Sequence, residues 1–313
     1  MAKLIRVNQF PLVFFSKTKF TGQKAYSSSA TAGRAAAILI SAWLSFVPFY
    51  LSAQPSDDWI KGNFIVEVHI VDDFINRFNG EVDQRVLAKW YELFQKKDIN
   101  RRDILYSLFN LRSTNWSEAE VESFLNQVTD RQCPTFLEFE GEDWYAKVNC
   151  RFYSQGKHYL ADLVLKIRKD PQTGGLEWVI VSMLNPEIFS ELCTDPFPYA
   201  KANRKLFLSP MSHGANFSSL KRAFEDQANF SDCLDLKTNY PILNTLAWEV
   251  HQGNLQLARI NSIEYHFFQV PNWIFVVKQV PREDFNTGWL ISELYQVNGL
   301  DVRNYKSECL NLK

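Results

Sequence analysis

Residues 145–153, YAKVNCRFY, alternate between apolar and polar side chains over their whole length. Successive side chains of a β-strand point to opposite faces of a sheet, so this alternation predicts a strand with one buried face. The apolar face consists of Ala146, Val148, Cys150 and Phe152. The same pattern predicts that Cys150 is a buried structural thiol.

Two more strands are predicted directly after this one. Residues 159–167 alternate in the same way, and residues 178–184 are apolar on both faces. The connecting segments, SQGK at 154–157 and DPQTGG at 170–175, are rich in turn-forming residues. Because loops this short cannot hold a crossover helix, the three strands are predicted to form an antiparallel meander.

The segment before the meander has the periodicity of helices. Residues 64–78 carry apolar side chains at heptad-like spacing, and Asn79-Gly80 ends the run. Two shorter helices are predicted near residues 82–93 and 104–109. A fourth helix is predicted to begin at the sequence Ser117-Glu-Ala-Glu120, which has the spacing of a capping box.

The second half of the chain repeats this plan. Asn216 is predicted to cap one helix, and a second helix is predicted over residues 241–252. Three strands are predicted near residues 257–270, 273–280 and 289–297. A unit of helices followed by a meander that occurs twice suggests a distant internal duplication.

The predicted fold class is therefore α+β, with two domains that each pack N-terminal helices on a curved antiparallel meander. The first domain spans residues 57–190 and the second, smaller one residues 206–313, with a linker broken by prolines at 191–205. Trp178 and Trp289 occupy matching places after a Thr-Gly turn. Both are predicted to be core residues.

The N-terminus has the charge pattern of an export signal. Residues 1–34 contain six Lys and Arg and no Asp or Glu, and residues 35–56, AAAILISAWLSFVPFYLSAQPS, are uncharged. This order predicts a signal peptide that ends after Ala53, with a retained membrane anchor over residues 1–53 as the alternative. A mitochondrial presequence is a further interpretation. Export implies a periplasmic or cell-surface location, with membrane contact only through a retained N-terminal segment.

The charge balance excludes one class of partner. Of the 34 Lys and Arg, six precede residue 57, which leaves 28 against all 35 Asp and Glu. An acidic surface does not attract phosphate backbones, and the sequence contains no DNA- or RNA-binding signature. We therefore expect no nucleic acid partner.

Cysteine and histidine spacing predicts neither a metal nor a cofactor. The five cysteines are irregularly spaced without a CxxC motif, which is typical of neither a zinc site nor a disulfide-dense scaffold, and their pairing is left open. His69 and Asp73 lie four residues apart on one predicted helix face, as two metal ligands would. The sequence shows no third ligand, and a solvated pair is the alternative.

The helices that lead into a bent meander resemble the NTF2-like cone fold, in which helices pack into a curved sheet and leave a pocket at its mouth. The resemblance to tandem NTF2-like domains concerns topology and implies no functional residue. Residues 74–80, 213–224 and 288–295 (FINRFNG, HGANFSSLKRAF and GWLISELY) are similar to segments of uncharacterised exported proteins of the Bacteroidetes type. That resemblance implies a cell-envelope location and no particular activity.

Histidines supply the candidates for catalysis. His158 and Asp162 share a strand face, where they form either an orienting pair for general base work or an exposed polar row. His213 precedes a predicted helix and, with Cys233 and Asp235, provides the ingredients of a thiol site. The alternative for His213 is a turn-forming loop.

Aromatic residues near the C-terminus supply the candidates for ligand binding. Such a group suits a ring or a sugar, but aromatic side chains in strands also pack against one another in a core. The group consists of Tyr265, His266, Trp273 and Trp289.

Beyond residue 56 the sequence contains no motif with established chemistry. It therefore predicts a noncatalytic protein of the cell envelope that binds a protein or small-molecule partner. The alternatives are an NTF2-like hydrolase or isomerase that uses a histidine and a carboxylate in one cone, and a purely structural envelope module. A histidine within hydrogen-bond reach of a carboxylate in a cavity favours the enzyme, whereas cavities filled by Phe and Trp disfavour it.

Overall fold

A computed structural model of the chain describes residues 67–94, 98–113, 115–170, 173–184, 205–237, 240–281 and 287–312. The predicted export segment and nearly all of the predicted linker lie outside these residues. Everything described belongs to one compact unit, which spans Gln54–Lys313. None of the described helices is both long and apolar enough to cross a bilayer.

The described residues form helices and then strands in each half, as the sequence predicts, and a further helix follows the last strand, so the fold class is α+β. The helices are α1 (Val71–Phe78), α2 (Gln84–Phe94), α3 (Arg101–Ser107), α4 (Glu118–Val128), α5 (Ser218–Glu225), α6 (Tyr240–His251) and α7 (Gly299–Leu310). The strands are β1 (Trp144–Ser154), β2 (Lys157–Lys169), β3 (Leu176–Leu184), β4 (Gln256–Phe267), β5 (Trp273–Val280) and β6 (Gly288–Gln296). Two short 3₁₀ segments cover Pro210–Ala215 and Phe230–Cys233.

Local capping explains where several of these helices begin. The capping box at Ser117 and Glu120 is confirmed, with each side chain bonded to the other residue's backbone N–H. The predicted cap at Asn216 is wrong. Asn216 ends the preceding 3₁₀ segment in a left-handed conformation, and α5 follows Phe217, which is also left-handed and provides no side-chain cap.

The two meanders form one sheet. Six antiparallel strands follow the order β3-β2-β1-β4-β5-β6, so β1 pairs with β2 on one side and with β4 on the other. The predicted separation into two domains is therefore not confirmed in the described part of the chain. Alternation determines which face of a strand is buried but not which strand lies beside it, and this limit explains the difference.

One continuous hydrophobic core contains residues from both halves. A column of nearly parallel rings runs through it from α1 across the sheet. Neighbouring rings are tilted by only 7°, 9° and 4°, with centroids 5.8, 4.9 and 5.3 Å apart. The rings in order are Phe78, Phe275, Phe267 and Trp144. Through this column, helix α1 packs against β5, β4 and β1, which are adjacent strands of the sheet.

Candidate functional site

Strand β4 is paired on one side along its full length and on the other side along only a part. β1 pairs with it from Gln256 to Phe267, whereas β5 pairs with Glu264–Phe267. On the side away from β1, no strand in the described part of the chain pairs with Gln256–Ile263. We call Gln256–Ile263 the free stretch of β4. Unpaired strand edges of this kind are templates for another strand.

The free stretch exists because β5 separates from β4 before β5 itself ends. The β4–β5 pairing ends at Glu264 and Lys278, whereas β5 continues to Val280 and pairs there with β6 alone. On the opposite side, the β1–β4 pairing shifts register after Asn149 and again after Arg151. Both shifts lie opposite the free stretch, and such bulges bend a strand and increase its local twist.

A cleft of about 410 Å³ lies along the free stretch. Ser218 and Lys221 of α5 line one part of it, and Gln279 and Trp289 at the ends of β5 and β6 line another. A neighbouring cleft of about 530 Å³ is lined by the start of β4, together with His158 and Glu225. Open space therefore borders the free stretch, while its Leu257 and Ile263 side chains are buried in the core.

The charged side chains that line the first cleft are cations. Lys221 and Arg259 line it, and none of its described lining residues is acidic. Arg259 lies directly opposite Arg151 in the β1–β4 register. Like charges in directly opposite positions of a sheet repel each other. The Arg259 guanidinium donates a hydrogen bond to Asn261 Oδ1 (2.8 Å), and among the described residues no carboxylate pairs with Arg259, Arg151 or Lys221.

A second candidate is a buried polar cluster of Asp72, His213 and Tyr265. Asp72 lies in the first turn of α1, His213 in the 3₁₀ segment Pro210–Ala215, and Tyr265 on β4. His213 Nε2 lies 3.2 Å from Asp72 Oδ1. The other ring nitrogen, Nδ1, lies 2.8 Å from the carbonyl oxygen of Pro210 and must donate to it, because a carbonyl only accepts. In the neutral ring, Nε2 therefore faces the carboxylate as an acceptor.

Three polar atoms of this cluster have unused hydrogen-bonding capacity. Asp72 Oδ1, His213 Nε2 and the Tyr265 hydroxyl are buried and have no hydrogen-bond partner among the described residues. Burial raises the pKa of Tyr265, and the Asp72 carboxylate raises it further. The phenol is therefore a protonated donor at neutral pH.

Aromatic rings surround the cluster and fill the space beside it. Phe139 and Trp178 lie 5.6 and 6.1 Å from the His213 ring, and Trp289 lies 4.8 Å from the Tyr265 ring. His213 has no exposed side-chain surface, whereas 27% of the Asp72 side chain is exposed. None of the three cluster residues lines either cleft beside β4.

The predicted pair of His158 and Asp162 does not form. His158 lies opposite Tyr153, with ring centroids 5.3 Å apart, at the neighbouring cleft. Asp162 accepts a hydrogen bond from Asn149 (2.5 Å) and lies 3.6 Å from Lys147 Nζ. The two residues share a strand but have different partners, so they do not orient each other.

The predicted thiol site is not assembled either. His213 faces Asp72, while Asp235 lies 3.0 Å from Lys166 Nζ. Burial, with a smaller contribution from nearby Asp232, raises the pKa of the Cys233 thiol to about 12. A thiol with so high a pKa is a poor nucleophile at neutral pH.

No metal centre is present in the described part of the chain, where no three His, Cys, Asp or Glu side chains converge. Asp73 accepts two hydrogen bonds from Arg77 (2.9 Å each) and one from the backbone N–H of His69 (3.2 Å). Among the described residues, no third ligand therefore completes a metal site with His69 and Asp73.

The predicted aromatic ligand group lies mainly in the interior, and Trp289 also lines the first cleft. Tyr265, Trp273 and Trp289 are buried, and the Trp273 indole donates to Gln127 Oε1 (2.9 Å). His266 is buried as well, with Nδ1 2.9 Å from the Tyr305 hydroxyl. These contacts agree with the interpretation that the group packs in the core.

A row of alternating charges crosses the sheet beside His266. Lys147 lies opposite Glu264, and Lys278 Nζ lies 3.0 Å from Glu264 Oε1 and 2.6 Å from Glu293 Oε1. Burial disfavours the Glu264 carboxylate, but the His266 imidazole and the Lys278 ammonium outweigh this and hold the pKa of Glu264 at about 2. Each charge in the row already has a partner, so the row is structural.

The chain matches no protein-family model, no curated protein and no solved structure. The class of the molecule is therefore defined by its own architecture, an α+β protein with one six-stranded antiparallel sheet. The two candidate sites for its function are the cleft along β4 and the buried polar cluster. Sequence reasoning missed Asp72, which is distant in the chain from His213, and it missed the free stretch, which depends on where β5 separates from β4.

Proposed function

We propose that the chain is a noncatalytic binding protein of the cell envelope, exported by its N-terminal segment, and that its binding site is the cleft along the free stretch of β4. The observation that carries the proposal is the unpaired edge of Gln256–Ile263 beside an open cleft. Backbone groups on an unpaired edge give affinity, and the side chains around it give selectivity. The NTF2-like resemblance belongs to this proposal, with helix α1 packed against the sheet as its support.

The chemistry at the cleft favours binding over catalysis. Its described lining residues provide cationic, amide and hydroxyl groups, but no histidine or carboxylate. A general base therefore has no place there. His158 and Glu225 line the neighbouring cleft instead, with no hydrogen bond or ion pair between them.

A second candidate function is acid–base catalysis at Asp72, His213 and Tyr265. Three buried polar atoms with unused hydrogen-bonding capacity favour it, because unsatisfied buried groups are costly and cluster at functional sites. In this alternative, a hydrolase or isomerase of the NTF2-like type uses Asp72 and His213 as its carboxylate and histidine. The rings of Phe139 and Trp178 argue against it, because they occupy the space a substrate needs.

Site-specific photocrosslinking tests the binding proposal. A photoreactive amino acid is introduced at Asn261, which lines the cleft, and separately at exposed Tyr106 on α3 as the control. In cells that make the protein, we expect a discrete crosslinked partner at Asn261, none at Tyr106, and loss of the Asn261 product in Arg259→Glu. Equal crosslinking at both positions, or at neither, contradicts a binding site in the cleft.

Mutation of the buried cluster separates the two functions. His213→Gln and Asp72→Asn should leave crosslinking at Asn261 unchanged if the cleft is the functional site. A panel of p-nitrophenyl esters provides the matching activity assay. Turnover by the wild-type protein that is lost in both variants would establish the enzyme instead.

A further inference from the structure

We propose that the occupant of the cleft is an extended acidic polypeptide segment, which adds to the free stretch as an additional strand of the sheet. The inference rests on the proposed function and specifies the chemistry of the partner. It combines two independent features of the free stretch, its unpaired backbone edge and its unpaired positive charge.

The unpaired backbone edge of the free stretch favours the addition of a strand. β1 satisfies the free stretch on one side only, and the described chain offers no strand on the other. Proteins ordinarily cover or distort such edges, and a peptide that adds to one gains main-chain hydrogen bonds without needing a deep pocket. The cleft of about 410 Å³ leaves space along this edge for an incoming backbone.

Charge supplies the second argument and selects the partner. Arg259 and Arg151 face each other across the β1–β4 pair without a described carboxylate beside them, and Lys221 lines the same cleft. Carboxylates on an added strand would relieve the repulsion between the two guanidinium groups. This cationic site belongs to a chain whose net charge is negative.

The same charges argue against the chain's own N-terminal segment and a second copy as occupants. Residues 1–56 carry only positive charge and would be repelled. A symmetric pairing of two β4 edges would bring two copies of Arg259 and Lys221 together, which is unfavourable for the same reason. An acidic segment of a different protein has neither disadvantage.

Synthetic peptides test the inference directly. The probe is a fluorescein-labelled (Glu-Thr)₄ peptide, and the matched control is (Lys-Thr)₄, with binding to the purified full chain followed by fluorescence anisotropy. We expect saturable binding of the acidic peptide alone, weakened by salt. Equal binding of both peptides, or a preference for the basic one, overturns the inference.

N-methylation distinguishes strand addition from attraction between side chains. Only alternate amides of an added strand point to the sheet, so methylation of the amides at odd positions and at even positions must have different effects. We expect one methylated peptide to bind like the parent and the other to lose most of its affinity. Equal behaviour of the two methylated peptides contradicts strand addition.

Charge variants complete the test. Arg259→Glu should weaken binding of (Glu-Thr)₄ by about tenfold, because reversal replaces attraction with repulsion. Arg259→Lys should retain binding, and Arg131→Glu, which changes an exposed arginine away from the cleft, should have no effect. An unchanged melting temperature of Arg259→Glu shows that the variant is folded. Equal loss in Arg131→Glu would mean that binding follows net charge, which overturns the inference.

Other occupants give distinct results. A dimer of the free protein that Arg259→Glu dissociates in analytical ultracentrifugation would make a second copy the occupant. Failure of every peptide, with Arg259-dependent crosslinks still formed at Asn261, overturns strand addition and leaves the proposed function in place. Absence of both peptide binding and crosslinks rejects the proposed function as well.

Discussion

Trp144 of β1 and Phe267 of β4 lie directly opposite each other in the register, with their rings parallel to within 4° and their centroids 5.3 Å apart. Both side chains are fully buried. β1 belongs to the first meander and β4 to the second, so this contact joins the two halves of the chain in the interior. Cross-strand aromatic pairs of this kind stabilise a sheet beyond the area they bury.

Trp144→Ala should be strongly destabilising. We expect a loss of about 3–5 kcal/mol in the free energy of unfolding, because the substitution removes a fully buried ring and leaves a cavity. Urea denaturation followed by circular dichroism measures the change. Leu160→Ala on β2 is the control, since the Leu160 side chain is 55% exposed and its loss should change stability by no more than about 0.5 kcal/mol.

Unfolding should occur as one transition that includes both meanders. Strand β1 pairs with β4, and one core contains residues of both meanders. Unfolding of one meander therefore removes strand pairing and core contacts from the other. Native-state hydrogen exchange should therefore give similar opening free energies for amides at Leu163 and Val276. Exchange of one meander at a much lower free energy than the other would indicate independent domains.

Trp178 and Trp289 provide a second test of the core. Both are buried, as predicted from the sequence, and the Trp178 indole donates to the carbonyl oxygen of Pro210 (2.9 Å). Alanine at either position should lower the free energy of unfolding by about 3–5 kcal/mol. Thermal melts of the two variants measure this, and an unchanged melting temperature in both would contradict the packing described.

The Glu264 carboxylate should make the protein sensitive to acid. Its pKa falls from an ordinary 4.5 to about 2 in the folded state, so its stabilising contribution is complete above pH 4.5 and is lost as the pH falls through 2. Glu264→Gln should destabilise the protein by about 2 kcal/mol at pH 7, with a difference from wild type that vanishes near pH 2. Urea unfolding across this pH range measures the difference. Glu140→Gln at an exposed position controls for the change in net charge.

The cysteines should differ sharply in reactivity. Cys133 is exposed, whereas Cys150 and Cys233 are buried, and burial raises the pKa of both buried thiols. Brief treatment with iodoacetamide at pH 8 should label Cys133 and spare the other two until denaturant is added. Peptide mass spectrometry measures the labelling. Rapid modification of native Cys233 would contradict its position in the core.

Local features of the fold were predictable from the sequence because they depend on neighbouring residues. Alternation located β1 to within one residue, and the capping box at Ser117 located the start of α4. Helix α7 was missed, because it buries little apolar surface, with Leu310 its one fully buried residue. Its capping box at Asn298 and Asp301 was the available signal.

Long-range features were not predictable, because periodicity carries no information about partners. The two meanders were recognised, but nothing in their sequences indicated that β1 would pair with β4. The contact of His213 with Asp72 likewise depends on how a 3₁₀ segment packs against α1. The free stretch of β4 follows from the point at which β5 separates from it, which is known only when the pairing of the two strands is known.

The pairing of β1 with β4 also determines when the sheet can be completed during translation. Trp144–Ser154 is translated long before its second partner, Gln256–Phe267, so a nascent chain emerges with one edge of its first meander unmatched. Bringing together two strands that lie so far apart in the chain slows folding. During this interval the unpaired edge is accessible to chaperones and to aggregation. Because of this delay, the polypeptide can still pass through an export channel in extended form for most of its translation. This property suits the export that its N-terminal charge pattern predicts.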